Sequence, residues 1–230
     1  VEYYFSDFLS KLESRPGDNQ LSDITLRKDA EIELEIPRML KPPRIFPGYN
    51  LLFAGTMNED ESTQSLSDKV YDRANVIRFA APKNIKFAKQ PEAFDLGNAL
   101  SRENWKSWIR PVSDVIGQSE LETLLDKLID IMRDFNSPFG HRLGSSIMHY
   151  VANYPDVEGV DQTKDALSDQ VEMRLLPKLR GIDVDAFDRQ FNALIKLVEA
   201  DLNNARLAEA ITRSKDDANA GQFVWNGTVK

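Results

Sequence analysis

The sequence predicts an α/β piece followed by an all-α half, and three observations predict it. A short continuous apolar run, "NLLFAGT" (Asn50 to Thr56), precedes a helical stretch and a second apolar run, "NVIRF" (Asn75 to Phe79). Strand, helix, strand in that order reads as one βαβ unit, and strands without alternation belong to parallel sheets covered on both faces. After Gly117 the apolar residues take up helical spacing and keep it to near the end of the chain.

Along the first part, Val1, Phe5, Phe8, Leu9 and Leu12 recur at helical spacing and form one stripe, which should end near Arg15-Pro16-Gly17. "EIELEI" alternates strictly, so Ile32, Leu34 and Ile36 are expected to face inward and three glutamates to face water. The Pro-rich "PRMLKPPRIFPGY" is expected to be an extended connector, because successive prolines forbid helix and disturb a ladder. Within "SLSDKVYDRA", Leu66, Val70 and Ala74 stand at fourfold spacing, a short helix.

Residues 81–118 read as a loop-rich connector or insertion with a short helix around "RENWKSWI". "SELETLLDKLIDIMRDF" opens with a capping box, Ser119 to Glu122, and carries Leu121, Leu124, Leu125, Leu128, Ile129, Met132 and Phe135 on one face. A second helix is expected from about Arg142, with Leu143, Ile147, Tyr150, Val151 and Tyr154 aligned. A third covers about 164–176 and stops at Pro177. A fourth starts near Asp183 and aligns Val184, Phe187, Phe191, Leu194, Ile195, Val198 and Leu202. Four regions follow: 1–80, the α/β piece; 81–118, the connector; 119–215, the helical domain; and 216–230, a weakly ordered tail.

Composition bounds the chemistry. With 41% hydrophobic and 29% charged residues, the 230-residue chain has the make-up of a soluble globular protein. No stretch reaches the length of a membrane span, and the expected location is cytoplasmic. Zero cysteines exclude disulfides, thiolate metal sites and cysteine nucleophiles, and two histidines limit imidazole chemistry. A net charge of −8 without a clustered basic face argues against direct nucleic-acid binding.

Several local pairs have simple readings. Ser145 and His149 stand at i and i+4, with no evident acid to complete a triad. His141 and His149 lack a nearby third ligand, so no metal site is expected. Trp105 and Trp108 flank Lys106, where stacking on a base competes with an amphipathic core contact. The acidic "NEDES" after Asn58 reads as a solvated loop. Thr56 and Asn58, polar at the end of an apolar run, can be ligand contacts or simply an Asx-type turn, and Arg73 can simply complement a helix C-terminus.

The segment "FAGTMNEDESTQSLSDKVYDRANVIRF" resembles the sensor-1 and arginine-finger region of AAA+ ATPases of the McrB-like, dynein-related branch. That pattern runs G-T-M-N, polar residues with a serine, then D-x-A-L-x-R-R-F. Gly55-Thr56-Met57-Asn58 matches completely. Asp68 and Arg73 fit, whereas Val70 and Ala74 depart from it, and Arg78 is a weaker substitute for the finger. The opening "VEYYFSDFLSKLE" resembles the helix that follows the family's Walker B motif, so the chain is expected to be the C-terminal part of such a protein.

The resemblance implies a truncated AAA+ α/β core, holding the last strands of a parallel sheet, followed by a helical lid. It implies catalytic roles for Asn58, which would orient the attacking water, and for Arg73, which would reach the nucleotide of a neighbouring subunit. Thr56 and Arg142 are the implied nucleotide contacts, Arg142 because "FGHRLGSSIMHYV" is similar to the sensor-2 region. "LLPKLRG" (Leu175 to Gly181) resembles a C-terminal segment of the same proteins.

The implied cofactor is ATP or GTP with Mg in the complete protein, and none is expected on this chain alone, which carries neither G-x-x-x-x-G-K-[ST] nor a strand ending in Asp-Glu. The implied assembly is a homo-oligomeric ring, with a nuclease of modified-DNA restriction or another protein as partner. Two alternatives stay open: a non-catalytic interaction or assembly module, and a chaperone-like ATPase that remodels proteins.

Overall fold

The computed structural model describes residues 2–16, 24–33, 40–48, 51–57, 68–80, 97, 99–115 and 118–228. The chain divides into two units, Val1–Ala74 and Asn75–Lys230.

In the first unit, helix α1 (Glu2–Glu13) occupies the predicted amphipathic stretch. Its end is satisfied by side chains, because the last carbonyls of a helix have no partner within it. Arg15 donates Nε to the Leu12 carbonyl at 2.9 Å and Nη1 to the Gly48 carbonyl at 3.2 Å. Helix α2 (Ile24–Asp29) follows, and Lys11 of α1 donates to the Asp29 carbonyl at 2.9 Å. Strand β1 (Ile32–Glu33) pairs antiparallel with β2 (Arg44–Ile45), with Ile32 opposite Ile45 and Glu33 opposite Arg44. The Glu33–Arg44 ion pair, 3.2 Å long and open to water, closes this ladder. A single turn of helix, α3 (Asp68–Tyr71), buries Val70 and Tyr71.

The α/β expectation is therefore corrected. Among the described residues the only sheet is the two-stranded antiparallel pair of β1 and β2, and the chain is mostly helical. The truncated AAA+ core with the last strands of a parallel sheet does not form. Residues 51–57 and 75–80 run without strand pairing, and Leu52 is 77% exposed and Phe79 83% exposed. The physical reason is the absence of neighbours. A parallel strand needs adjacent strands for its slanted hydrogen bonds and a helical crossover of a dozen or more residues to cover its face. Helix α3 has four residues, too few to cover one. Part of the Pro-rich connector instead supplies β2, pairing with the start of the alternating "EIELEI" run.

The second unit begins with the extended segment 75–80 and a short helix α4 (Arg102–Ser107), whose N-cap Ser101 accepts from the Asn104 amide at 3.1 Å. Five longer helices follow. Helix α5 (Gln118–Asp134) buries Leu121, Leu128 and Met132, and α6 (His141–Ala152) buries Ile147 and Val151 against the same core. Helix α7 (Gln162–Gln170) is capped by Asp161, which accepts from the Lys164 amide at 3.0 Å. The chain then widens into a π-helical turn, Val171–Leu175, and tightens into a 3₁₀ turn, Leu176–Leu179. Pro177 sits in that tight turn, where its missing N–H leaves the carbonyl four residues back without its helical partner.

Helix α8 (Asp188–Lys196) ends in a second π-helical turn, Leu197–Asp201, and α9 (Ala205–Asp216) is capped by Asn204 at 3.0 Å from the Leu207 amide. Phe191 of α8 is the aromatic centre of the core, its ring 4.8 Å from Phe135 and 4.8 Å from Phe223. Burying a side chain of this kind stabilises by roughly 1.5–3 kcal/mol. Phe223 and Trp225 lie in the stretch expected to be a weakly ordered tail, yet both are buried. The tail is held by backbone bonds to the loop before α8: Gly181 N to Phe223 O at 2.9 Å, Phe223 N to Ile182 O at 2.8 Å and Val184 N to Gly221 O at 2.8 Å.

Candidate functional site

The residues singled out from the sequence fall in both units. Asn58 and the acidic run after it lie outside the described residues. Thr56 is exposed at the end of the extended segment 51–57. That segment meets helix α1 edge-to-face, the Phe53 ring 4.9 Å from Phe8. Arg73 follows α3, with its amide bonded to the Val70 carbonyl at 3.0 Å. Its side chain, 13% exposed, points onto the same helix: Nε lies 3.2 Å from Glu13 Oε2, and Nη1 donates to the Ser10 hydroxyl. Helix α1 thus meets segment 51–57 through Phe8 and Phe53, and Arg73 through Ser10 and Glu13.

Arg142 belongs to the second unit, exposed in the first turn of α6. Gly140 caps that helix without a side chain, so the positive end of the helix dipole and the guanidinium share one place. Ser145 and His149 are on the same helix, where the His149 carbonyl accepts from the Asn153 side chain at 2.8 Å. The rings of Trp105 and Trp108 lie 6.2 Å apart and tilted at 59°, and Trp108 is 60% exposed, so the pair is not a core contact. Among the described residues no cluster of three or more His, Asp or Glu side chains could hold a metal ion, and no helix is long and apolar enough to cross a membrane.

Within the second unit the structure forms a cavity of about 540 Å³ that the sequence did not announce. The segment 77–80 forms one wall. Tyr150 of α6, Asp169 of α7, and Glu172 and Met173 of the first π-helical turn form another; Asn204, Arg206 and Leu207 at the start of α9 complete it with Thr228. Wide helical turns re-aim side chains by one position, which is why they recur where a helix must present groups to a cavity. Here the turn presents Glu172 and Met173.

Two short polar chains order these walls. The Tyr150 hydroxyl donates to Asp169 Oδ2 at 3.0 Å. Thr228 donates its hydroxyl to Glu172 Oε1 at 2.9 Å and accepts from Arg206 Nη2 at 3.3 Å. Burial, then the charge of Asp169 and the hydrogen bond to it, raise the Tyr150 hydroxyl far above its ordinary range. Burial and Asp169, with Asp165 adding charge, push Tyr154 up to about 12. Both phenols are therefore neutral donors near neutral pH, and the carboxylates are acceptors already engaged on one side. Hydrogen-bonded carboxylates, hydroxyls and an arginine over Met173 and Leu207 can orient a small polar group.

The sequence signals for this cavity were slight. Asp169 and Glu172 stand at i and i+3, and Pro177 marks a disturbed helix, but nothing in the sequence brings Thr228 or segment 77–80 to them. Nothing in the sequence marks Glu13 as the partner of Arg73.

No curated protein and no solved structure matches the chain. A family model does match, described as "Domain of unknown function (DUF8727)", over residues 99–223. That span covers α4 to Phe223, hence the helical body and the start of its buried C-terminal strap. Matching more than half of the sequence, it shows that the chain belongs to this family of domains.

Proposed function

We propose that the chain is the C-terminal portion of a ring-forming McrB-like AAA+ NTPase, with Asn58 as the residue that orients the attacking water and Arg73 as the finger toward a neighbouring subunit. The observation that carries this reading is the complete Gly55-Thr56-Met57-Asn58 run followed by Asp68 and Arg73. The position of Arg73 supports it: the guanidinium extends from the end of a helical turn and is held by a carboxylate and a hydroxyl, groups it can exchange for a phosphoryl oxygen, which its planar fork fits. The proposal concerns these residues and not a parallel sheet. Thr56 and Arg142 are the accompanying nucleotide contacts, and ATP or GTP with Mg is the cofactor of the complete protein. A nuclease or another protein is the partner on which the ring acts.

The test is the coding DNA upstream of Val1. A P-loop followed by an Asp-Glu pair in frame, within about a hundred codons or so, supports the reading. A start codon directly before Val1 overturns it.

A second reading is favoured by one observation. The family match lies on the helical body and leaves the Thr56 to Arg73 stretch outside, as expected of an interaction or assembly module that is used without nucleotide chemistry. The same upstream sequence separates the two.

A further inference from the structure

Segment 75–80 is tied to the helical body by hydrogen bonds at both of its ends. Its apolar side chains do not anchor it: Ile77 is 62% exposed and Phe79 is 83% exposed. The attachments are polar. The Val76 amide donates to the Met173 carbonyl at 3.2 Å, the carbonyl that Pro177, four residues on, cannot serve. Arg174 donates Nε to Asn75 Oδ1 at 2.8 Å. Arg78 donates Nη1 to the Trp225 carbonyl at 3.1 Å.

The C-terminal strap that receives Arg78 is, by contrast, firmly seated. Phe223 and Trp225 are buried, Arg213 donates to the Gly227 carbonyl at 3.2 Å, and Ser214 accepts from the Asn226 amide at 3.3 Å. Gly227 closes the contact. Its φ is +81°, and a Cβ there would overlap the Arg78 carbonyl and lie 3.3 Å from the Ala80 amide. Only glycine lets the strap and the segment approach so closely.

We propose that residues 221–228 are a latch for segment 75–80, and that this segment opens from the latch as a unit while the helical body stays folded. A firmly seated strap holding a segment whose Ile77 and Phe79 stay exposed makes a local, low-energy opening, because little apolar burial is lost when the segment leaves and the core stays intact. Release of the segment therefore precedes unfolding of the helices.

Amide hydrogen exchange of the full chain reads the latch directly, with the Val76 amide as reporter. Gly227→Val pushes the segment off through the strap, and Arg78→Ala removes the donor from the other side, so one variant covers for the other if it folds poorly. In either folded variant the Val76 amide is expected to exchange about tenfold faster, as loss of a contact worth about 1.4 kcal/mol implies, while amides of α5 and α8 keep their rates. Unchanged Val76 exchange, or an increase only in step with α5 and α8, overturns the latch.

Discussion

Arg73 Nε lies 3.2 Å from the carboxylate of Glu13, so the arginine singled out as a finger already has an acidic partner in its own unit. Glu13 is about one third exposed and Arg73 mostly covered, an arrangement between a surface pair and a buried one. Screening by water limits its worth to roughly 0.5–1 kcal/mol. A double-mutant cycle of Glu13→Gln and Arg73→Met, read by urea unfolding, is expected to return a coupling of about that size. A coupling near zero would mean that the Ser10 contact and packing hold Arg73 by themselves.

The chemistry assigned to the same arginine has a larger expected effect. In the complete protein, Arg73→Ala should lower turnover by about 10³ to 10⁵, the range for a finger on a transferring phosphoryl group. Subunits carrying it should regain activity when mixed into rings with a variant dead in its own nucleotide site but retaining Arg73. Asn58→Ala should keep nucleotide binding and lose hydrolysis. Normal turnover in the Asn58 variant, or no rescue in demonstrated mixed rings, would count against these roles.

Phe191 stands between Phe135 and Phe223 at 4.8 Å from each. Truncating either Phe191 or Phe223 to alanine is expected to destabilise the helical unit by about 3–5 kcal/mol, because each leaves a large cavity in a packed core. The comparison carries the information, since Phe223 belongs to the C-terminal stretch. Urea midpoints for Phe223→Ala close to wild type would show that the strap contributes little to the core.

Tyr150 and Tyr154 have hydroxyls raised above the ordinary value of 10.0, Tyr154 to about 12. A group whose folded pKa is raised contributes stability that is complete below the unfolded pKa and is lost as pH rises through the folded one. The helical unit is thus expected to lose stability progressively from about pH 10 upward. Absorbance titration should show a late step from Tyr150 and Tyr154, and Tyr150→Phe with Tyr154→Phe should remove both that step and part of the alkaline loss. A titration that these substitutions leave unchanged would contradict the buried pair.

Much of the helical half was legible in the sequence. Leu121, Leu128 and Met132 at helical spacing placed α5, and Leu143, Ile147 and Val151 placed α6, because a single helix face records its own period whatever it packs against. The expected third helix was found, but not its form: Pro177 was read as a stop, whereas the chain passes through a wide turn and a tight turn around it. Helix α9 was not among the expected helices: the alignment of the fourth ends at Leu202, and the cap that starts α9, Asn204, is a single residue without a period of its own.

Of the candidate sites, the sequence supplied residues without surroundings. Arg73 was found from its motif and its spacing from Asn58. Its attachment to Glu13 and Ser10 joins residues far apart in the chain, and no local pattern encodes such a contact. The cavity is a stronger case, because Tyr150, Glu172, Arg206 and Thr228 come from four separate stretches.

By itself the sequence determined the composition, the helical periods and the motif residues, all properties of neighbours along the chain. Tertiary structure decided whether an apolar run becomes a strand, since a strand exists only by hydrogen bonding to another. Residues 51–57 and 75–80 carry the apolar pattern of strands and stay unpaired, whereas part of a Pro-rich connector finds a partner in β1. It also decided that Phe223 and Trp225 belong to the core. Phe223 and Trp225 carry no periodic signal, and their burial depends on a groove that exists only after the helices have packed.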